Sequence, residues 1–250
     1  MSTMQTQQPI AADDPRGARF PSLTDRAVLI TGGATGIGEA FVAHFAALVE
    51  RLADARHAPA FFAADLTDID ALRRAIAELR THTGAFGVLI NNAANDRPHS
   101  IEEVTPESFD AAIAVNLRHQ FFAAQAVIDD MKSLGGGAIV NLGSISWMLK
   151  NGGYPIYATS KAAIQGLTRT LARDLGPFRI RVNALVPGWV MTDKQRALWL
   201  DDAGRAAIEA GQCIGDELLP DDLARAALFL AVDDSRMMTA QDVVVDGGWA

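Results

Sequence analysis

The segment Thr31-Gly32-Gly33-Ala34-Thr35-Gly36-Ile37-Gly38 sets the architecture of this 250-residue chain. It follows the short apolar run 26–31 and precedes apolar residues at helical spacing, so we predict a strand, a tight turn and a helix. Gly32, Gly36 and Gly38 remove side chains where a backbone approaches a pyrophosphate, and the helix N-terminus offers unpaired N–H groups. The pattern therefore predicts a dinucleotide site at this turn.

Composition limits the class of protein and its partners. The chain is 49% hydrophobic and 21% charged, which is ordinary for a globular domain, and its net charge of -8 argues against a nucleic-acid or anionic-membrane surface. Cys213 is the single cysteine, so an intrachain disulfide and a tetrathiolate zinc site are excluded, and we expect a reducing cytoplasm. The five histidines show no metal-ligand spacing. No apolar run is long enough to predict a membrane span.

Residues 1–20 predict a flexible N-terminal tail, and residues 21–250 one dinucleotide-binding and catalytic domain. Within that domain, apolar runs alternate with segments of helical periodicity. This alternation predicts a single-domain α/β fold with a parallel, doubly wound, Rossmann-like sheet whose ligands lie at the carboxyl ends of the strands. The predicted strands are 26–31, 61–65, 88–91, 138–142, 180–186 and 243–245, and the predicted helices are 37–57, 69–81, 106–131, a segment through 157–175, and one from about 220.

Tyr157 and Lys161 are four residues apart, which places both on one face of the predicted helix. A lysine ammonium beside a phenol favours the phenolate, so we expect a lowered Tyr157 pKa. Ser144 follows the apolar run 138–142, where a strand end presents a hydroxyl to a substrate oxygen. The three residues form a predicted acid/base site, although Tyr-x-x-x-Lys alone also occurs on many solvated helices.

Further motifs in the same order carry a family resemblance. With Asn91-Asn92-Ala93-Ala94 in the middle and Pro187-Gly188 later, the chain from about residue 22 resembles the short-chain dehydrogenases/reductases. These are nicotinamide-dependent oxidoreductases built on one Rossmann-like domain. Ala94 stands where the family commonly has glycine, a departure that would restrict the turn if positive φ were needed.

The resemblance implies roles for individual residues. Tyr157 exchanges the proton with substrate, Ser144 holds the substrate oxygen, Lys161 also binds the nicotinamide ribose, and Asn116 holds a water that connects the lysine to solvent. Asp65 either contacts the adenine or caps its own loop. The implied dinucleotide-binding residues are Gly32, Thr35, Gly36, Ile37, Gly38, Asp65, Leu66, Asn92, Ala93, Tyr157, Lys161, Pro187, Gly188, Val190 and Thr192.

Within the family, the segments 116–119, 143–147 and 212–213 look most like dehydrogenases that oxidise aldoses at C1 to lactones, the D-xylose type among them. The implied substrate residues are Asn95, Asp96, Ser146, Trp147, Asn151 and Trp189, with ordinary packing an equal explanation for the two tryptophans. A 3-oxoacyl or other carbonyl reductase is the first alternative. The second is a catalytically silent nucleotide-binding member.

The cofactor expected is NAD, with NADP not excluded, because residues 33–35 include no arginine or lysine to meet a 2′-phosphate. The family also implies a homotetramer built from the two long helices and the C-terminal strand.

The segment between Phe45 and Phe61 lacks the second strand that a dinucleotide fold requires, along with its terminal acidic residue. We predict that roughly fifteen to twenty residues, a strand and its turns, are missing near Ala46-Ala47-Leu48. If the chain is interrupted there, consecutive Cα atoms will lie much farther apart than 3.8 Å. If the segment is deleted, one continuous helix will run over 37–57 and overshoot the sheet, and the adenosine half of the site will be exposed.

Overall fold

The computed structural model describes residues 20–51, 59–198 and 200–250. The predicted tail lies outside these residues except for Phe20, which is buried in the core. The strands are β1 (Ala27–Ile30), β2 (Phe86–Asn91), β3 (Gly137–Leu142), β4 (Ile180–Pro187) and β5 (Asp242–Val245). The helices are α1 (Gly36–Arg51), α2 (Ile69–Thr83), α3 (Pro106–Ile113), α4 (His119–Ser133), α5 (Pro155–Leu175), α6 (Asp193–Leu198), α7 (Asp202–Gly211) and α8 (Pro220–Ala231).

The five strands form one parallel sheet in the order β1-β2-β3-β4-β5. Every residue of β2 and β3 is buried, as expected for strands covered on both faces. The register pairs Asn91 with Asn141, and Leu142 with Leu185. The carboxyl ends of the inner strands therefore lie at one edge of the sheet, where the predicted site residues follow them.

Helices cover both faces of the sheet, which confirms the predicted doubly wound α/β architecture. Phe41 and Phe45 of α1 pack with α8 against one face, in a cluster that includes Val88 and Ile90. Helices α2, α4 and α5 pack against the other face, around Leu89. Alternate residues of β2 thus belong to different core layers, as the two-residue period of a strand requires.

The predicted strand Phe61–Asp65 is wrong, because these residues pair with no strand in the described part of the chain. Phe61 and Phe62 are 74% and 46% exposed. In the usual strand order 3-2-1-4-5-6 this segment would pair with the second strand, and β1 would pair with the other side of that strand. Without the second strand, an apolar run of the right composition has no neighbour with which to form a sheet.

Helix α1 runs without interruption through residues 46–48, so the chain is not broken there. Its sixteen described residues span about 24 Å, longer than a typical strand of about 17–20 Å. The remainder of the predicted helix, 52–57, lies outside the described residues. Helices α1 and α2 pack on opposite faces of the sheet.

The predicted long helix over 106–131 is interrupted by a π-helical turn, Ala114–Arg118, between α3 and α4. The turn contains Asn116 and widens the backbone beside α5. Among the described residues, no helix is long and apolar enough to span a membrane, and no His, Cys, Asp and Glu side chains group as a metal site would need.

Candidate active site

The glycine-rich turn is attached to the end of β2. The Thr31 hydroxyl accepts hydrogen bonds from the N–H groups of Asn92 (3.0 Å) and Ala93 (3.2 Å). The Asn92 amide donates to the carbonyls of Thr31 (3.0 Å) and Gly32 (3.1 Å). A Cβ added at Gly38 would lie 2.0 Å from the Gly32 carbonyl oxygen, so glycine is required here for the turn to close.

The residues after β4 approach the same turn. Gly36 has a φ of +61°, and a Cβ built on it would lie 3.3 Å from the Thr192 methyl group. Gly188 similarly packs against Asp246, 2.7 Å from the position that a Cβ would take. The structure therefore brings the predicted pyrophosphate turn and the predicted nicotinamide segment, which includes Val190, to one place at the sheet edge.

Ser144 and Tyr157 meet at the carboxyl end of β3. Ser144 has extended backbone just after the strand, and its hydroxyl accepts a hydrogen bond from the Ser146 N–H at 3.1 Å. Burial raises the pKa of the Tyr157 phenol well above its usual range, and hydrogen bonding from the Ser144 side chain opposes that rise. Tyr154 packs edge-on against the Tyr157 ring, with 6.1 Å between ring centroids.

Lys161 lies beside Tyr157 as predicted, but the pKa of Tyr157 is not lowered. Its side chain is 1% exposed, and its ammonium donates to the Leu142 carbonyl oxygen at 2.7 Å. Burial lowers the pKa of Lys161 to about 7. The expected lowering of the Tyr157 pKa is wrong for this arrangement, because desolvation of the phenol outweighs the lowering influences around it. The pair does share one face, with Lys161 Nζ 5.5 Å from the Tyr157 ring centroid.

Asn116 lies in the π-helical turn and is fully buried. Its side-chain oxygen accepts from the Asn95 N–H at 2.8 Å, and its amide donates to the carbonyls of Asn95 and Ala112, both at 3.0 Å. The two bonds to Asn95 fix the loop that follows β2 against the helix. Asn116 is therefore an anchor for Asn95, and the predicted water-holding role remains a prediction.

The adenosine half of the predicted site is less complete. One Asp65 oxygen accepts from the Thr67 N–H (2.9 Å) and the Thr67 hydroxyl (2.8 Å), so Asp65 does cap its own loop. Its contact with adenine remains a prediction, as does that of the partly buried Leu66. Ala94 does not have a positive φ, so the departure from glycine restricts nothing.

The predicted substrate residues differ in their contacts and in their exposure. Trp189 donates from its indole nitrogen to Gln195 at 2.8 Å and lies 6.3 Å from the Trp249 ring, a contact that supports a packing role. Within the described residues, the indole N–H of Trp147 and the hydroxyl of buried Ser146 have no hydrogen-bond partner. Asn151 is exposed on the loop before α5.

Two histidines near the site were given no role from the sequence, because His99 lies in no motif and His119 was considered only as part of the segment 116–119. The His99 Nε2 accepts from the Ile156 N–H at 3.3 Å, while its Nδ1 faces the Arg97 carbonyl at 3.0 Å. A carbonyl only accepts, so Nδ1 carries the hydrogen and the neutral ring caps the start of α5.

His119 is completely buried, and neither ring nitrogen has a hydrogen-bond partner within the described residues. Burial lowers the pKa of His119 to about 4, the nearby charge of Lys161 adds to this effect, and the backbone of Ala114 and Val115 opposes it. The ring is therefore neutral near pH 7.

Comparisons with known proteins agree with this geometry. The family model described as Enoyl-(Acyl carrier protein) reductase matches residues 32–250. A probable galactose dehydrogenase of Rhizobium meliloti is 45% identical over 92% of this chain and 97% of its own. A D-xylose 1-dehydrogenase of Caulobacter vibrioides is 41% identical over 93% of this chain and 98% of its own. A gluconate 5-dehydrogenase of Burkholderia cenocepacia, solved with NADP and tartrate, is 31% identical with a TM-score of 0.79, over 90% of this chain and 94% of that one.

A parallel α/β sheet with a glycine-rich turn and a Ser-Tyr-Lys site defines a nicotinamide-dependent oxidoreductase. The chain belongs to the short-chain dehydrogenase/reductase family.

The alignment with the galactose dehydrogenase also bears on the missing strand. It extends over 249 positions but takes up 92% of this 250-residue chain, which is about 230 residues. About 19 positions therefore have no counterpart in this chain. That size agrees with the predicted loss of roughly fifteen to twenty residues.

The described residues fit the pyrophosphate of a nicotinamide dinucleotide better than they fit its adenosine. The turn that needs glycine at Gly38, the positive φ of Gly36 and the adjacent start of α1 suit a pyrophosphate. The Thr192 side chain adjoins this turn. At the adenosine end, the described residues include no strand between α1 and α2 to carry a ribose-binding acid.

Proposed function

We propose that this protein is an NAD(P)-dependent aldose 1-dehydrogenase, which oxidises the hemiacetal carbon of a sugar to a lactone. The observation that carries the proposal is the meeting of Ser144 and Tyr157 beside buried Lys161 at the dinucleotide edge of the sheet. Two relatives support the substrate class: a probable galactose dehydrogenase at 45% identity and a D-xylose 1-dehydrogenase at 41% identity.

In the proposed reaction Tyr157 is the general base. It takes the proton of the anomeric hydroxyl while the C–H bond at the same carbon breaks, and Ser144 holds that oxygen by a hydrogen bond. A bound nicotinamide dinucleotide would supply the hydride acceptor. Because burial disfavours the phenolate, the Ser144 hydrogen bond and a protonated Lys161 have to stabilise it.

The remaining residues are assigned to binding and proton supply. Lys161 also holds the nicotinamide ribose, Val190 and Thr192 hold the carboxamide, and the turn from Gly32 to Gly38 holds the pyrophosphate. Asn116 provides the proton path toward solvent. We propose NAD as the preferred cofactor because residues 33–35 offer no cation to a 2′-phosphate.

The proposed assembly is a homotetramer in the cytoplasm. Large apolar side chains remain exposed on the two proposed contact regions: Phe109 and Phe121 on α3 and α4, and Val244 on β5. Exposed apolar residues on long helices and on an edge strand suit burial between copies. Free, exposed Cys213 suits a reducing compartment. Light scattering at micromolar concentration tests the assembly, and a monomer contradicts it.

A dehydrogenase assay over a panel of pentoses and hexoses, with NAD and NADP, tests the function. We expect appearance of reduced nicotinamide with at least one aldose, a lactone two hydrogens lighter than the sugar, and higher kcat/KM with NAD. Comparable kcat/KM with both cofactors would refute the NAD preference alone.

The same preparation is given 3-oxoacyl thioesters and reduced nicotinamide. Efficient thioester reduction without sugar oxidation would replace the proposed function with the carbonyl-reductase alternative. Failure of both reactions, together with absent dinucleotide binding by calorimetry, would favour the catalytically silent alternative.

A further inference from the structure

The carboxylate of Asp96, one of the implied substrate residues, lies between two parts of the site. Asp96 is on the loop after β2, and its Oδ1 accepts from Lys194 Nζ at 2.6 Å. Its Oδ2 accepts from the Gln195 side-chain amide at 2.9 Å. Gln195 in turn accepts from the Trp189 indole N–H at 2.8 Å. Asp96 thus attaches α6 and the segment before it to the opposite side of the site.

The same carboxylate lies close to the reacting groups. The preceding residue, Asn95, is held through both its N–H and its carbonyl by Asn116. The pKa of Tyr157 is raised first by burial and further by the charge of Asp96. The pKa of Lys161 is lowered by burial, and the charge of Asp96 opposes this. Both ends of the acid/base pair therefore sense this negative charge.

Asp96 also keeps unused acceptor capacity. An ionised carboxylate has about four lone-pair positions, and the two side-chain donors from α6 occupy two of them. The Asp96 side chain is 37% exposed, so substrate can reach it. An ion pair this exposed contributes little to folding stability, which weakens a purely structural explanation.

We propose that Asp96 is a specificity-determining residue that accepts a hydrogen bond from the substrate hydroxyl next to the reacting carbon, with Lys194 and Gln195 as its positioning residues. The inference rests on the proposed sugar-dehydrogenase function and adds which part of the sugar is recognised. For an aldose oxidised at C1, the neighbouring hydroxyl is that at C2. An acceptor-only carboxylate left without its donor disfavours a substrate that lacks this hydroxyl.

The test compares D-galactose with 2-deoxy-D-galactose and 6-deoxy-D-galactose, which lack the near and the remote hydroxyl respectively. In wild type we expect kcat/KM to be about 10- to 100-fold lower for the 2-deoxy sugar, the range of a hydrogen bond to a charged group. In Asp96→Ala this ratio should fall to about threefold or less, while the ratio for the 6-deoxy sugar stays unchanged. Comparing ratios between proteins cancels the intrinsic reactivity of each sugar.

Two further variants separate recognition from structure. Asp129→Ala removes another exposed aspartate that pairs with a lysine, Lys132, and it should leave every ratio at the wild-type value. Lys194→Met keeps the Asp96 carboxylate but removes a positioning donor, so KM for D-galactose should rise more than kcat falls. Asp96→Asn, which retains size and one acceptor oxygen, should give an intermediate ratio, and it replaces Asp96→Ala if that variant does not fold.

The outcomes distinguish failure of the Asp96 assignment from failure of the proposed sugar-dehydrogenase function. Wild type could oxidise sugars without a lower kcat/KM for the 2-deoxy sugar, or the kcat/KM ratio could be the same in the Asp96 variants as in wild type. Either result would refute the Asp96 assignment and leave the proposed function standing. No oxidation of any sugar by wild type would refute both.

Discussion

The two halves of the sheet edge differ in how completely they are built. At the catalytic half, β3 and β4 are long and buried, and Ser144, Tyr157 and Lys161 follow from adjoining elements. At the adenosine half, the sheet ends at the four-residue β1, and the next segment, 59–65, pairs with no described strand. The comparison indicates that the missing strand is separable from the chemistry. Its loss should appear in dinucleotide affinity rather than in the acid/base site.

The largest effect is expected from Tyr157→Phe. Removing the hydroxyl deletes the general base, a contribution of about 10²- to 10⁴-fold, so kcat should fall by at least that factor. The dissociation constant of the dinucleotide should stay within a few-fold, because the lost group acts on substrate. Initial rates and calorimetry check the two quantities, and unchanged turnover would contradict the mechanism.

Lys161→Ala should weaken both quantities. The substitution removes the ammonium that favours the phenolate and the proposed ribose contact, so we expect about 10²-fold lower kcat and about tenfold weaker dinucleotide binding. Lys132→Ala on α4 is the matched control and should change neither. A loss confined to one quantity would argue against two roles for this lysine.

His119→Leu tests how a buried histidine near Lys161 contributes to the free energy of unfolding. Burial depresses the pKa of folded His119 from 6.5 to about 4, so unfolding takes up a proton between these values. Stability from this group is present above about pH 6.5 and is lost as the pH falls to about 4, a loss of about 3 kcal/mol. Denaturant unfolding at both pH values should show a smaller acid loss in His119→Leu. The exposed His82→Leu should keep the wild-type loss.

The smallest effect is expected in the adenosine half. Asp65 is exposed, and one of its oxygens is already engaged by Thr67, so Asp65→Ala should change the dissociation constant of NAD by no more than a few-fold. Calorimetry checks this value beside that of Tyr157→Phe. A much larger loss would show that the adenosine half still binds strongly, and the separation of the two halves would then be wrong.

Elements with a strong local signal could be predicted from the sequence. Helix α2 begins at Ile69, the predicted start, where the Asp68 carboxylate accepts from the N–H groups of Asp70 and Ala71. The composition of residues 61–65 could not show that the predicted strand does not form, because a strand needs a neighbouring strand to pair with. The π-helical turn stayed hidden because one extra residue does not interrupt the apolar stripe.

Within the candidate site, spacing along the chain predicted which groups meet better than how they interact. The four-residue interval placed Tyr157 and Lys161 on one face, but their pKa values follow from burial, which the sequence does not report. The pairing of Asp96 with Lys194 joins residues 98 positions apart and has no periodic signal. Only the three-dimensional arrangement reveals it.

The end of the sheet at β1 has a consequence for the behaviour of the protein in solution. The outer N–H and C=O groups of this strand face no strand partner among the described residues. Such open edges template edge-to-edge aggregation, and natural proteins limit the hazard by keeping them short. β1 has four residues, below the usual five or six, and the net charge of -8 makes copies repel one another. The short edge and the net negative charge therefore limit edge-to-edge aggregation of a sheet that ends at β1.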